Sequence, residues 1–158
     1  MFRKLAFLAV AAALARPAAG QQTTQKFDYA PVNGVQDVRV ELEKVSVNQI
    51  VFKPGRSLGG PVRRSDASAE VRIDNNGPKD QIVGVALVVL DGDGNVVAAG
   101  SGGTRWGHLK AGERDTSAIA FPFVFRNFDK AKTFWVTLEL APVEPEMRTP
   151  APVVTPGG

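Results

Sequence analysis

The sequence predicts an all-β protein folded as an antiparallel sandwich of about seven strands. Three observations carry that expectation. Apolar residues between positions 36 and 140 recur with a period of two, not with the roughly 3.6-residue period of a helix. Clusters of Gly, Pro, Asn and Asp break the alternation at intervals of about 8–12 residues, the spacing of sandwich strands and their turns. The chain has no cysteine, so disulfides and thiolate metal sites are excluded and the fold rests on a hydrophobic core alone.

The first segment reads as a secretory signal peptide over residues 1–20. Arg3 and Lys4 precede an unbroken apolar run from Leu5 to Ala15, and Ala18 and Gly20 supply small residues for cleavage. The run has no polar face and is shorter than the ~20 residues a membrane-spanning helix needs. No later stretch is apolar enough to span a membrane. Residues 21–35, QQTTQKFDYAPVNGV, are polar with turn formers and read as a flexible leader.

The β-sandwich domain is expected over residues 36–140. VRVELE sets Val38, Val40 and Leu42 on one face against Arg39, Glu41 and Glu43. VSVNQIVF continues the pattern after a bulge or bend near Lys44. ASAEVRID alternates Ala67, Ala69, Val71 and Ile73 with Ser68, Glu70, Arg72 and Asp74. QIVGVALVVL is almost wholly apolar, which suits a central strand covered on both faces. NVVAAG follows. TSAIAFPFVF then lines up Ile119, Phe121, Phe123 and Phe125, and TFWVTLEL lines up Phe134, Val136, Leu138 and Leu140. KAK at 130–132 leaves room for one helical turn at most. From Ala141 the chain holds five of its eleven prolines. Each removes a backbone donor and fixes φ, so residues 141–158 read as an extended Pro-rich tail.

Charge narrows the partners. The formal net charge of +3 comes from 19 Lys+Arg against 16 Asp+Glu. Arg3, Lys4 and Arg16 account for that excess and leave with the signal peptide. The balanced remainder has no electrostatic footprint for nucleic acid or an anionic membrane.

Three motifs invite a chemical reading. DGDGN places Asp91, Asp93 and Asn95 at the alternate positions that open a calcium loop. Such a loop also needs a glycine at its sixth position and an acid at its twelfth; here those are Val96 and Gly102. A hairpin turn accounts for the motif, since Gly92 and Gly94 permit positive φ. Next, AGSGG around Ser101 is close to a nucleophile elbow, but no helix signal follows and the one histidine is His108. A flexible loop or an edge strand is expected there, with no catalytic residue, no cofactor and no metal. The aromatics form the third set. Trp135 has the opposite parity to Phe134 and Val136 and so points away from the core. Trp106 stands beside Arg105 in a glycine-rich stretch. Exposed Trp and Arg are typical binding anchors, so Arg105, Trp106 and Trp135 are the candidate binding residues. The alternative is that Trp135 only covers the outer sheet face against Ala86 or Val88, and that Trp106 plugs a sandwich end.

Residues 67–140 resemble the small exported immunoglobulin-like sandwiches of bacteria, most closely the FxLYD type. The matching pieces are the Asn-rich turn Asp74-Asn75-Asn76-Gly77, the strand end Val89-Leu90-Asp91, the Gly92–Asn95 hairpin and Leu109-Lys110-Ala111-Gly112-Glu113 before a Phe-rich strand. Leu87 and Leu90 depart from the pattern, where that family often has Phe and Tyr. The resemblance implies an immunoglobulin-like or fibronectin-III-like fold and a periplasmic or extracellular location, and no catalytic residues. GSGGTRW is also similar to the Gly-rich and Arg-aromatic loops of secreted immunoglobulin-like inhibitors of cysteine proteases. In that family the two motifs lie in separate loops, and its Asn-Pro-Thr-Thr-Gly loop is missing here. The functional expectation is an exported, non-enzymatic binding or accessory module that meets another envelope or extracellular protein through the loop surface from Gly100 to Trp106. An envelope-assembly protein that pairs through an edge strand is the alternative, and a small hydrolase or protease inhibitor a third.

Overall fold

The structure, a computed structural model, describes residues 20–57, 64–104, 107–122 and 128–143. Its strands, in chain order, are β1 (Gln21–Asp28), β2 (Val35–Leu42), β3 (Val45–Lys53), β4 (Arg56–Ser57), β5 (Arg64–Ser65), β6 (Ala67–Asn75), β7 (Gln81–Leu90), β8 (Val96–Gly103), β9 (Arg114–Phe121) and β10 (Thr133–Pro142). A 3-10 turn at Phe128–Lys130 precedes β10. Two four-stranded antiparallel sheets pack as a sandwich: sheet A in the order β1-β10-β7-β8 and sheet B in the order β2-β3-β6-β9. The architecture is a two-sheet antiparallel β-sandwich, as the sequence predicts. The short β4–β5 ladder extends the β3–β6 hairpin beyond the sandwich.

The period-two residues form the core between the sheets. Sheet B contributes Val40, Val47, Ile50, Val71, Ile73 and Ile119, all fully buried. Sheet A contributes Leu87, Val89, Phe134, Val136 and Leu138, equally buried. One end is closed by aromatic rings. Tyr29 packs edge-on against Phe52 and Phe128, with ring centroids 4.9 and 5.7 Å apart, and Phe27 stacks on Phe134 at 5.4 Å. Edge-to-face and offset pairs of this kind add about 0.5–1.5 kcal/mol each beyond their area.

Several boundaries differ from expectation. Residues 21–28 are not a flexible leader but strand β1, in unbroken register with β10 from Gln21↔Leu140 to Asp28↔Thr133. The segment is polar because most of it lies on an exposed edge; Phe27 and Tyr29 anchor it to the core. Asn33 and Gly34, both at positive φ, make a two-residue turn closed by Val32 and Val35. That Asn-Gly signal favours a tight reversal. The reversal between β2 and β3 falls at Glu43 and Lys44, with φ of 46° and 67°. It is a full hairpin rather than a bend. The bulge in VSVNQIVF lies at Asn48, where the register shifts and moves the inward parity from Val47 to Ile50. β9 ends at Phe121, ahead of Pro122, which cannot donate to a ladder. Phe123 and Phe125 lie outside the described residues, as do residues 1–19 and 144–158. β10 runs through Pro142, two residues into the expected tail.

Candidate functional site

The DGDGN motif is spent on its own turn. Asp91 N donates to Asn95 O at 3.0 Å, and Gly94 N to Asp91 O at 3.2 Å. The Asp91 carboxylate accepts the backbone N–H of Asp93 (3.0 Å) and of Asn95 (2.8 Å), and the Asn95 side-chain amide (3.2 Å). Those hydrogen bonds, led by Asn95, hold its carboxyl below the usual carboxylate range. Gly94 takes the positive φ, at 84°. With Val97 bulged against Val89 and Leu90, the loop delivers β8 beside β7. Asp91, Asp93 and Asn95 therefore form an Asx-type hairpin. Among the described residues no group of three or more His, Asp or Glu is arranged to share a metal ion.

The GSGG motif has a packing role. Gly100–Gly103 are not a loop but the last part of β8. A Cβ on Gly100 would lie 2.6 Å from Ala120 O and 2.8 Å from Ile119 Cγ2. On Gly102 it would lie 2.6 Å from Ser117 Oγ. These glycines let the β8 edge of sheet A press directly on the β9 edge of sheet B, closing one side of the sandwich. Ser101, between them, is exposed and lies opposite Ala86. His108 sits in the β8–β9 connection with Nε2 3.9 Å from Asp80 Oδ2. No hydrogen bond joins Ser101 to His108.

Trp135 stands where its parity places it, on the outer face of sheet A, 39 % exposed. Its register partners are Lys26 on β1 and Val88 on β7. Lys26 Nζ lies 5.8 Å from the indole centroid, a cation–π contact worth about 0.5–1 kcal/mol at an exposed site. Thr24 and Thr137 share a hydroxyl hydrogen bond of 2.9 Å on the same face. The outward row of β7 is Ile82, Gly84, Ala86, Val88 and Leu90, without a charge or hydrogen-bonding side chain. The expectation that this strand is covered on both faces is not met among the described residues: Ile82 is 42 % exposed. Arg105 and Trp106 lie outside the described residues. On either side of them, Thr104 N bonds Val83 O and Leu109 pairs with Gln81, near the start of β7. Trp135 faces Val88, five residues further along β7, or about 17 Å at strand rise. Trp135 and Thr104 therefore lie toward opposite ends of sheet A.

The outer face of sheet B is chemically different. Lys53 pairs with Glu70. Asp74 accepts Arg114 Nε and Asn48 Nδ2, the latter at 2.7 Å, and Arg72 Nε lies 4.0 Å away. Burial raises the Asp74 pKa, but the hydrogen bonds from Arg114 and Asn48 and the charges of Arg114 and Arg72 outweigh it and hold the carboxyl below its ordinary value.

Sequence reasoning missed Asn75, which organises one end of the sandwich. It is 1 % exposed. Its Nδ2 donates to Lys79 O (2.9 Å), Leu109 O (3.1 Å) and Lys110 O (3.1 Å), and its Oδ1 accepts Gly77 N at 2.9 Å. The available signal was the first Asn of DNNG, preceding a turn. Open clefts flank it, one lined by Glu43, Lys44 and Pro78, the other by His108, Lys110 and Arg114. No protein-family model matches the chain, and a search of curated proteins found no match.

Proposed function

We propose that the chain is an exported, non-enzymatic binding or accessory module of the immunoglobulin-like, FxLYD type, meeting another envelope or extracellular protein through the outer face of sheet A. The observation that carries this reading is Trp135, a half-exposed indole held by Lys26 beside the uncharged outward row of β7. An aromatic anchor on a surface with few charges is the composition of an interface core. The ion-paired face of sheet B lacks it. The N-terminal pattern of residues 1–20 supports export, and Arg105 and Trp106 are further candidate anchors on sequence grounds alone.

The test is capture of a protein partner from an envelope extract by wild type, Trp135→Ala, and Arg105→Ala with Trp106→Ala. Arg39→Ala, on the outer face of sheet B, is the control. Loss of one specific captured protein in Trp135→Ala, deepened or matched by the Arg105/Trp106 variant, with the control unaffected, is the expected result. Equal capture by all variants removes the proposal.

A further inference from the structure

We infer that β1 is a docking edge for a second copy of this chain, with two β1 strands pairing antiparallel and joining two A sheets into one continuous sheet. This goes beyond the binding face proposed above, because it uses the backbone edge and not Trp135.

The sandwich has four edge strands, β1, β8, β2 and β9, and three of them are guarded. β8 and β9 cover each other through the close approach at Gly100 and Gly102. β2 is bulged between Asp37 and Val40 and carries Asp37, Arg39 and Glu41 on its outward row, with an Arg39–Glu41 ion pair of 3.6 Å. Bulges, charges and mutual cover are the usual protections of an edge. β1 packs beside β2, with Gln21 Nε2 donating to Glu43 Oε1 at 2.6 Å, but from Gln21 to Phe27 it has neither a bulge nor a close glycine seam, and its outward backbone groups stay unpaired among the described residues. Its register with β10 is unbroken, it contains no proline, and Lys26 is its one charge before Asp28. The Gln36 side chain seals the backbone edge at its C-terminal end, donating to Asp28 O (2.7 Å) and accepting from Ala30 N (3.0 Å). Among the described residues no hydrogen bond joins the other side of Gln21–Phe27 backbone to a further strand.

The sequence of this open edge is self-complementary. In an antiparallel pair centred on Thr24, Gln21 faces Phe27 of the second copy, Gln22 faces Lys26, Thr23 faces Gln25, and Thr24 faces Thr24. No like charges meet. Thr–Thr pairs and polar cross-strand pairs are favourable in this geometry. The contact is isologous, so it closes at two copies.

The experiment is sedimentation of the purified protein across a concentration range, for wild type, Thr24→Lys and Gln22→Glu. Melting curves verify that each variant folds. The inference predicts a concentration-dependent doubling of mass. Thr24→Lys puts two ammonium groups face to face at the centre and weakens the dimer by roughly fivefold. Gln22→Glu puts a carboxylate opposite Lys26 of the second copy and tightens it by a few-fold. A monomer at every concentration overturns the inference, even if β1 takes up a strand of some other protein. So does a dimer whose affinity ignores both substitutions, because it then uses a different surface. Neither result bears on capture through Trp135, so the two proposals fail separately.

Discussion

At the scale of single residues, the groups that attract chemical attention are committed to structure. The Asp91 oxygens accept three hydrogen bonds within their own turn, so added calcium is expected to leave the melting temperature unchanged. Asn75 matters more. Replacing it with Ala removes its side-chain bonds to Lys79 O, Leu109 O and Lys110 O and the acceptor of Gly77 N–H, while Leu109 O and Lys110 O keep Gln81 N–H and Glu113 N–H. A net hydrogen bond is worth about 0.5–1.5 kcal/mol, so Asn75→Ala is expected to lose roughly 2 kcal/mol by urea unfolding. Asp74 gives a pH signature. Its pKa is lowered in the folded state, so its contribution is fully present above the ordinary value of 3.8. The contribution is lost as the pH falls through the lower folded value. Urea midpoints measured against pH should drop over that acid range, and Asp74→Asn should flatten the drop.

At the scale of elements, the β8–β9 seam makes the sharpest demand. A methyl group on Gly100 meets the backbone oxygen of Ala120, and that backbone is held in the β6–β9 ladder. Gly100→Ala is therefore expected to destabilise by roughly 2 kcal/mol or more, while Ser101→Ala, exposed between two glycines, should change little. The β2–β3 turn runs the other way. Lys44 holds a left-handed φ of 67°, a conformation that costs a non-glycine residue about 1–2 kcal/mol. Lys44→Gly should raise the thermal midpoint, less the entropy that glycine adds to the unfolded chain.

These elements also show what was legible in the sequence. Alternation located β6 and β10 almost to the residue, because each has one face in the core and period two is the direct trace of that burial; β7 was located by its unbroken apolar run. It placed Trp135 outward for the same reason. It missed β1, whose stability comes from pairing with β10 and not from an apolar face of its own. The Glu43–Lys44 hairpin was hidden because neither residue is a turn former. The edge-strand alternative for the glycine run holds, but the seam role of Gly100 and Gly102 was hidden because it depends on the opposing β9 edge. Arg105 and Trp106 remain candidates on sequence grounds, beyond the described residues.

At the scale of the whole molecule, the two outer faces differ in chemistry. Sheet B is laced with ion pairs and turned to water. Sheet A presents an uncharged row, one indole and an open edge. Both proposals depend on Gln21–Asp28 being a strand of that sheet. Site-resolved amide hydrogen exchange tests this most directly. The account predicts slow exchange through β7 and β10. In β1 it predicts protection at every second amide, those bonded to β10, in dilute protein, with the alternate amides becoming protected as concentration rises. Uniformly fast exchange from Gln21 to Asp28 at every concentration would contradict it, returning that segment to a leader and leaving β10 as the edge of sheet A.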